Sequence, residues 1–237
     1  MTPKFSWKKD LFDSEILGFP CAKIERLVNG KLTVEELIRD LKMNKIEYAV
    51  IRILGKDYVT AQLLESNGFR LVDSLVEMNV SLENLKIEKV NNIRIANAND
   101  SRSIQKITSN SFDDTRFFHD EVISTKKAKK IYAEWAKNSL LGKVADKVIV
   151  WEENGNIEGF ATIQKSGHIP IIAVSKNAQG KGVGKSLCRQ ALNICKEFGA
   201  KNAAIETQSN NIAALRAYMA SGFKITQSFF TFAWRER

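Results

Sequence analysis

Residues 48–80 lie over residues 202–234 without a gap, at a constant offset of 154. Five of the 33 positions are identical, and both segments read as strand, helix, Gly-Phe and strand, with Gly68-Phe69 falling on Gly222-Phe223. A register kept over three elements implies two copies of one supersecondary unit. Any fold open to this chain must therefore house the same strand–helix–strand piece twice. Strands and helices alternate along the rest of the sequence, which sets the class as α/β. In the second part, the patterns predict strands over 93–96, 147–152, 157–164, 169–174, 203–207 and 223–234. They predict helices over 100–110, capped by Asn99 or Asp100, and over 125–141, 183–198 and 212–221. Asn154-Gly155 is a two-residue hairpin signal. The polar stretch 86–92 separates two strand patterns, so the expected domains are 1–89 and 90–237.

At 237 residues, 44% of them apolar and 27% charged, the chain has globular composition and fits one large domain or two small ones. No window approaches ~18 consecutive apolar residues, so no membrane-spanning helix is expected. The first twenty residues lack an apolar core and a small-residue cleavage site, so no signal peptide is read and a cytoplasmic location is expected. Three cysteines, Cys21, Cys188 and Cys195, are too few for a disulfide framework. Cys188 and Cys195 read as packing residues on one helix. The net charge of +9 is unevenly held: residues 1–89 carry 14 basic and 14 acidic side chains, and residues 90–237 carry 22 and 13. A basic second part favours a polyanionic partner or a phosphate-rich ligand. Its densest run, Lys126, Lys127, Lys129 and Lys130, reads first as a solvated helix face. No metal-ligand spacing occurs.

The most informative segment chemically is 169–185, IPIIAVSKNAQGKGVGK. A strand enters a loop holding Gly180, Gly182 and Gly184, and the loop opens a helix. Glycines let a ligand approach the backbone, and the free amides at a helix start point at negative charge. A phosphate-binding P-loop needs glycine where Gln179 stands, and a dinucleotide fingerprint needs it at Lys185 or Leu187. Both are near misses; a glycine-rich turn without a ligand is the plain alternative.

The pattern Q-x-x-G-x-G is met in full by Gln179, Gly182 and Gly184. A second pattern, N-x-x-A-x-x-x-Y-x-x-x-G-F, is met by Asn211, Ala214, Tyr218, Gly222 and Phe223. With these two motifs in order, residues 92–237 resemble the GNAT superfamily of N-acetyltransferases. The resemblance implies the GNAT fold, a mixed twisted sheet flanked by helices, with a smaller N-terminal half-GNAT-like domain before it. DSEILGFPCAKI (13–24), TRFFHD (115–120) and the Tyr132 and Trp135 pair are similar to segments of GNAT enzymes of the dTDP-fucosamine acetyltransferase type. Phe12, Ile16-Leu17 and Glu121 depart from that type.

The resemblance implies acetyl-CoA as co-substrate, no metal, and a nucleotide-linked amino sugar of the dTDP-4-amino-4,6-dideoxyhexose type as acceptor. Both ligands are polyanions and account for the charge without nucleic acid. Backbone amides from Gly180, Lys181, Gly182, Val183, Gly184 and Lys185 would hold the pyrophosphate, with Gln179 at the loop. The pantetheine arm would pair with Ile172, Ala173 and Val174, and one of those amides would face the thioester oxygen. Asn211 and Ala214 would lie along the arm or brace their helix. Tyr218, a phenol with a reference pKa near 10, would protonate the departing thiolate. At the equivalent position the first copy has Leu64, and no glycine-rich loop precedes that copy, so it should not turn over acetyl-CoA. Glu206, His168, His119 and Asp120 are candidates for the base, and Arg116 for a sugar-nucleotide phosphate. Enzymes of this type are often dimeric, so a homodimer is one expectation. The alternatives are a GNAT acting on a protein N-terminus, lysine, polyamine or drug, and a basic nucleic-acid-binding module using the 126–130 helix.

Overall fold

A computed structural model describes residues 3–28, 30–85 and 90–236. Most of the stretch expected to divide the domains, 86–92, lies outside the described residues. The elements in chain order are β1 (Phe5–Lys9), α1 (Leu11–Leu17), β2 (Cys21–Leu27), α2 (Lys31–Met43), β3 (Tyr48–Leu54), α3 (Tyr58–Ser66) and β4 (Arg70–Ser81). They continue with β5 (Ile93–Ile95), α4 (Ser101–Ser111), α5 (Arg116–His119), α6 (Thr125–Leu140), β6 (Lys147–Glu153), β7 (Asn156–Ile163) and β8 (Ile171–Val174). The last are α7 (Val183–Glu197), β9 (Asn202–Gln208), α8 (Ile212–Met219) and β10 (Lys224–Arg235). No helix among the described residues is long and apolar enough to cross a membrane.

The internal repeat is visible element by element. Adding 154 to the bounds of β3 and β4 gives the bounds of β9 and β10, and α3 and α8 begin in the same register. The helix starts are built alike: the Asp57 side chain accepts from the Thr60 amide, and the Asn211 side chain accepts from the Ala214 amide. Phe69 and Phe223 are both buried, as are Leu64 and Tyr218.

The chain divides into two compact units, each drawing on both copies. One comprises 1–75, 114–127 and 227–237, and the other 76–113 and 128–226. In the first unit, β3 runs parallel to β2 and antiparallel to β10, the last strand of the second copy. Its core gathers Ala49, Ile51 and Ile53 from β3, Leu64 and Phe69 from the first copy, and Phe232 and Trp234 from β10, beneath α2. In the second unit, β9 neighbours β4, the last strand of the first copy. Its core joins Met78 and Val80 of β4 to Ala203 and Ile205 of β9, to Leu215 and Tyr218 of α8, and to the buried stripe of α7. The copies have exchanged their final strands, so neither compact unit corresponds to one uninterrupted stretch of chain.

The second unit also holds an antiparallel sheet in the order β5-β6-β7-β8. The hairpin expected at Asn154-Gly155 joins β6 to β7 there, both residues having positive φ. Asp100 stands at the N-cap of α4, one of the two positions expected, but its side chain makes no capping bond to the helix; Asn97 caps the short turn that precedes it. Asn97 accepts from the Asn99 amide, while the Asp100 carboxylate takes the Asn97 amide and two bonds from Arg94. The carboxylate serves the turn from its third position and leaves the cap to the asparagine, as in a capping box.

Candidate functional site

Just ahead of β8, His168 forms an isolated parallel bridge with Ala204 of β9. The Ile169 amide donates to Ala204 O at 2.9 Å, and the Ala204 amide donates to Gly167 O at 3.0 Å. Beyond that point the strands part. The space between them belongs to a cavity of about 500 Å³, in the range of small-molecule sites. Pro170 to Val174 line one wall, Ile205 to Gln208 the other, and α8 contributes Asn211, Ala213, Ala214, Ala217 and Tyr218.

The free edge of β8 is polar for a geometric reason. In an antiparallel pair, successive residues turn their backbone groups to opposite edges. The Ser175 amide donates to Glu158 O on β7 at 2.8 Å, so residues 173 and 171 also face β7. Ile172 and Val174 therefore direct their amides and carbonyls into the cavity, and Ala173, although it lines the wall, turns its backbone away. The Val174 carbonyl accepts from Ser111 Oγ at 3.2 Å and from Gln179 Nε2 at 3.5 Å. Gln179 thus braces the loop against the strand it follows.

The glycine loop closes one end. Gly180 and Gly182 have φ of +77° and +82°, a region costly for residues with a Cβ, and a Cβ built on either meets nothing within 4 Å. Glycine is required at both for conformation. Gly182 is the N-cap of α7, and the first intrahelical bond there runs from the Ser186 amide to Gly182 O. The amides of Val183, Gly184 and Lys185 precede it, as at any helix start. Gly180, Gly182, Val183, Gly184 and Lys185 line the cavity; exposed Lys181 does not.

Tyr218 is buried against Phe223, with ring centroids 6.2 Å apart, and burial pushes its phenol above the ordinary value. Asn211 both lines the cavity and caps α8, its Oδ1 accepting from the Ala214 amide at 3.1 Å. Of the base candidates, Glu206 lines the cavity. His168 does not, and its Nδ1 lies 3.3 Å from Gln164 Oε1. The cysteines are packing residues: burial pushes the Cys188 thiol up to about 12 and Cys195 up to about 11. Sequence reasoning missed Ser111 and Phe112. Phe112 lines the cavity and stacks on Tyr132 at 4.5 Å, but only the approach of the α4 end to β8 marks either residue.

Residues 111–223 match the model of the Acetyltransferase (GNAT) family. The chain carries a GNAT acetyltransferase domain. The chain is 25% identical over 134 residues to the spore coat polysaccharide biosynthesis protein SpsD of Bacillus subtilis, covering 55% of this chain and 46% of that protein. It is 24% identical over 167 residues to dTDP-fucosamine acetyltransferase of Escherichia coli, covering 68% and 70%. Less than half the length of the spore coat protein is spanned. Among solved structures, a GCN5-related N-acetyltransferase from Sphaerobacter thermophilus superposes with a TM-score of 0.66 at 14% identity, over 98% of this chain and 76% of that one. That likeness extends the GNAT fold beyond the matched family segment.

Outside the GNAT cavity, the first unit brings together two distant segments, 13–24 and 115–120. The Arg116 side chain donates to the buried Asp13 carboxylate at 2.7 Å and stacks on Phe117, and its backbone amide donates to Asp73. Asp120 pairs with Arg235 at 3.2 Å. His119 bonds Val72 O and Asp114 Oδ1. Burial by itself would lower the His119 pKa, but these two bonds raise it above the ordinary value. Arg116, open in the sequence to either a phosphate or an ordinary ion pair, is engaged by Asp13, and His119 and Asp120 likewise have partners within this unit.

Proposed function

We propose that the chain is an acetyl-CoA-dependent N-acetyltransferase whose acceptor is a nucleotide-linked amino sugar, acting in the cytoplasm. The observation that carries the transferase reading is the edge at Ile172 and Val174 that no strand covers, lining the cavity that the glycine loop and Tyr218 also line. The sugar class rests on the relatives and on the paired segments around Asp13 and Arg116. Residues 1–89 would be a half-GNAT without chemistry, and 90–237 the part that carries the site.

In this reading the pyrophosphate sits on the amides that begin α7, where the helix dipole adds about 0.3–1 kcal/mol. Lys185, and Lys181 from outside the cavity, add positive charge. The pantetheine arm pairs with the Ile172 and Val174 backbone groups, and Asn211 and Ala214 border it. An amide of that edge faces the thioester oxygen; such a donor is worth about 3 kcal/mol. The acceptor ammonium gives a proton to Glu206, directly or through water. Its nitrogen then attacks the thioester carbon, the C–N bond forms, the nitrogen sheds its second proton to water, and the C–S bond breaks. The Tyr218 phenol donates its proton to the departing sulfur and recovers one from solvent.

The test is release of free CoA thiol from acetyl-CoA with dTDP- and UDP-linked amino sugars, alongside a peptide N-terminus, a lysine peptide and spermidine. Turnover confined to an amino sugar supports the proposal. Turnover with another amine keeps the enzyme and overturns the acceptor; none with any of them overturns both.

A further inference from the structure

We infer that Gly159 is a positioning residue for the acetyl-CoA site, an assignment that rests on the acetyltransferase reading above. Gly159 is buried in β7, does not line the cavity, and belongs to neither motif. It stands opposite Val174, the last residue of β8. A Cβ built on it would lie 2.9 Å from Leu187 Cδ1, 3.0 Å from Ala173 O and 3.2 Å from Val183 Cγ1. Its φ lies outside the left-handed region, so what it supplies is space, in contrast to Gly180 and Gly182.

The three atoms it would meet belong to the two elements that frame the co-substrate. Val183 is the first residue of α7, whose first three residues line the cavity, and Leu187 lies one turn further along it. Ala173 sits between the two residues that offer the β8 edge. The same spot is anchored from the other side: Glu158 O accepts the Ser175 amide, and the Glu158 carboxylate accepts from Ser175 Oγ, where β8 ends and the loop begins. The Leu187 methyl can swing away, but the Ala173 carbonyl is backbone in a paired strand. One methyl group at 159 must therefore lift the start of α7 or push β8 toward the cavity. Either movement breaks the match between the helix-start amides and the strand edge. An interior glycine in a strand marks close backbone approach, and here the approach seats the helix that holds the anion loop.

The experiment is calorimetric titration of acetyl-CoA into the full chain and its variants, with thermal unfolding of each. The wild type must bind acetyl-CoA; if it does not, the acetyltransferase reading fails and this inference falls with it. Given wild-type binding, Gly159→Ala is expected to stay folded and raise the dissociation constant at least tenfold. Gly159→Ala/Leu187→Ala, which removes one of the three contacts, is expected to recover part of that loss. Ile163→Val, a cavity-making change further along the same strand, is expected to lower the melting temperature and leave affinity within twofold. Affinity of Gly159→Ala within twofold of wild type overturns the inference, as does a tenfold loss in Ile163→Val, since that would mean general loosening. Should Gly159→Ala not fold, the double variant is read by the same limits.

Discussion

The two copies of the strand–helix–strand unit share their element starts, their helix caps and a buried phenylalanine, yet among the described residues the strand alongside parts from the second copy and stays paired with the first. Beside β3, β2 stays paired in parallel from Cys21–Tyr48 through Ile24–Ile51, and the connection from β2 to α2 is the three residues 28–30. Beside β9, β8 keeps one bridge and then departs, and eight residues separate Val174 from Val183. The paired edge satisfies its backbone groups internally. The parted edge leaves the Ile172 and Val174 backbone groups without a strand partner, and the longer connection lets three glycines shape the helix start. The site arises where strand pairing is withheld, with the common scaffold unchanged.

Replacing the side chains at the equivalent buried positions 64 and 218 should separate chemistry from packing. Tyr218→Phe is expected to lower kcat by about 100-fold or more, the usual contribution of a proton donor, with acetyl-CoA affinity within a few-fold. Leu64→Ala, at its counterpart, should cost about 2–5 kcal/mol of stability and leave the turnover of folded protein unchanged. Full turnover in Tyr218→Phe would remove the phenol from the mechanism. Because burial raises that phenol, an alkaline fall in kcat should begin only above its ordinary value near 10. A pH–rate profile reads this directly.

The buried pair in the first unit should matter next. Removing one partner of a buried ion pair strands the other, so Asp13→Ala is expected to cost about 3–5 kcal/mol in chemical denaturation. A loss under 1 kcal/mol would show that Arg116 finds solvent or another partner. Smaller still are the matched caps. Asp57→Ala and Asn211→Ala should each lose about 1 kcal/mol, and only Asn211→Ala should also raise the KM for acetyl-CoA. Equal KM changes would erase the distinction between the copies at this position.

The faintest effect belongs to His119. Its folded pKa is raised, so its contribution is complete below the unfolded value near 6.5 and is lost as pH rises through the folded one. The ring is 41% exposed and screened, so the slope should be slight. Urea midpoints across pH 6–8 should show it in the wild type and not in His119→Asn.

Much of this was legible beforehand. The offset of 154 located six elements because the copies kept their lengths, and the residues assigned to the co-substrate and the proton donor line the cavity with one exception, while Gly222 and Phe223 of the second motif lie outside it. Lys181 is the exception, because a lysine beside a loop glycine is free to point to solvent. The strand exchange was not legible, since offset fixes register within a copy and says nothing of which copy supplies a partner. Gly159 carried a readable signal, a glycine inside a strand pattern, but only the seating of α7 explains it. For Arg116 the sequence left a phosphate and an ion pair equally open, because its partner, Asp13, is about a hundred residues away.

Thermal unfolding with acetyl-CoA, ATP and a short DNA duplex in parallel, for the wild type and Gly182→Val, tests the central claim most directly. At 100 times its dissociation constant a ligand adds about 2.7 kcal/mol, a shift of a few degrees at this size. Stabilisation of the wild type by acetyl-CoA alone, lost when valine is forced into the left-handed cap of α7, is the expected result. No shift with acetyl-CoA, or one that survives Gly182→Val unchanged, would contradict the assignment of the parted edge and its loop as the co-substrate site.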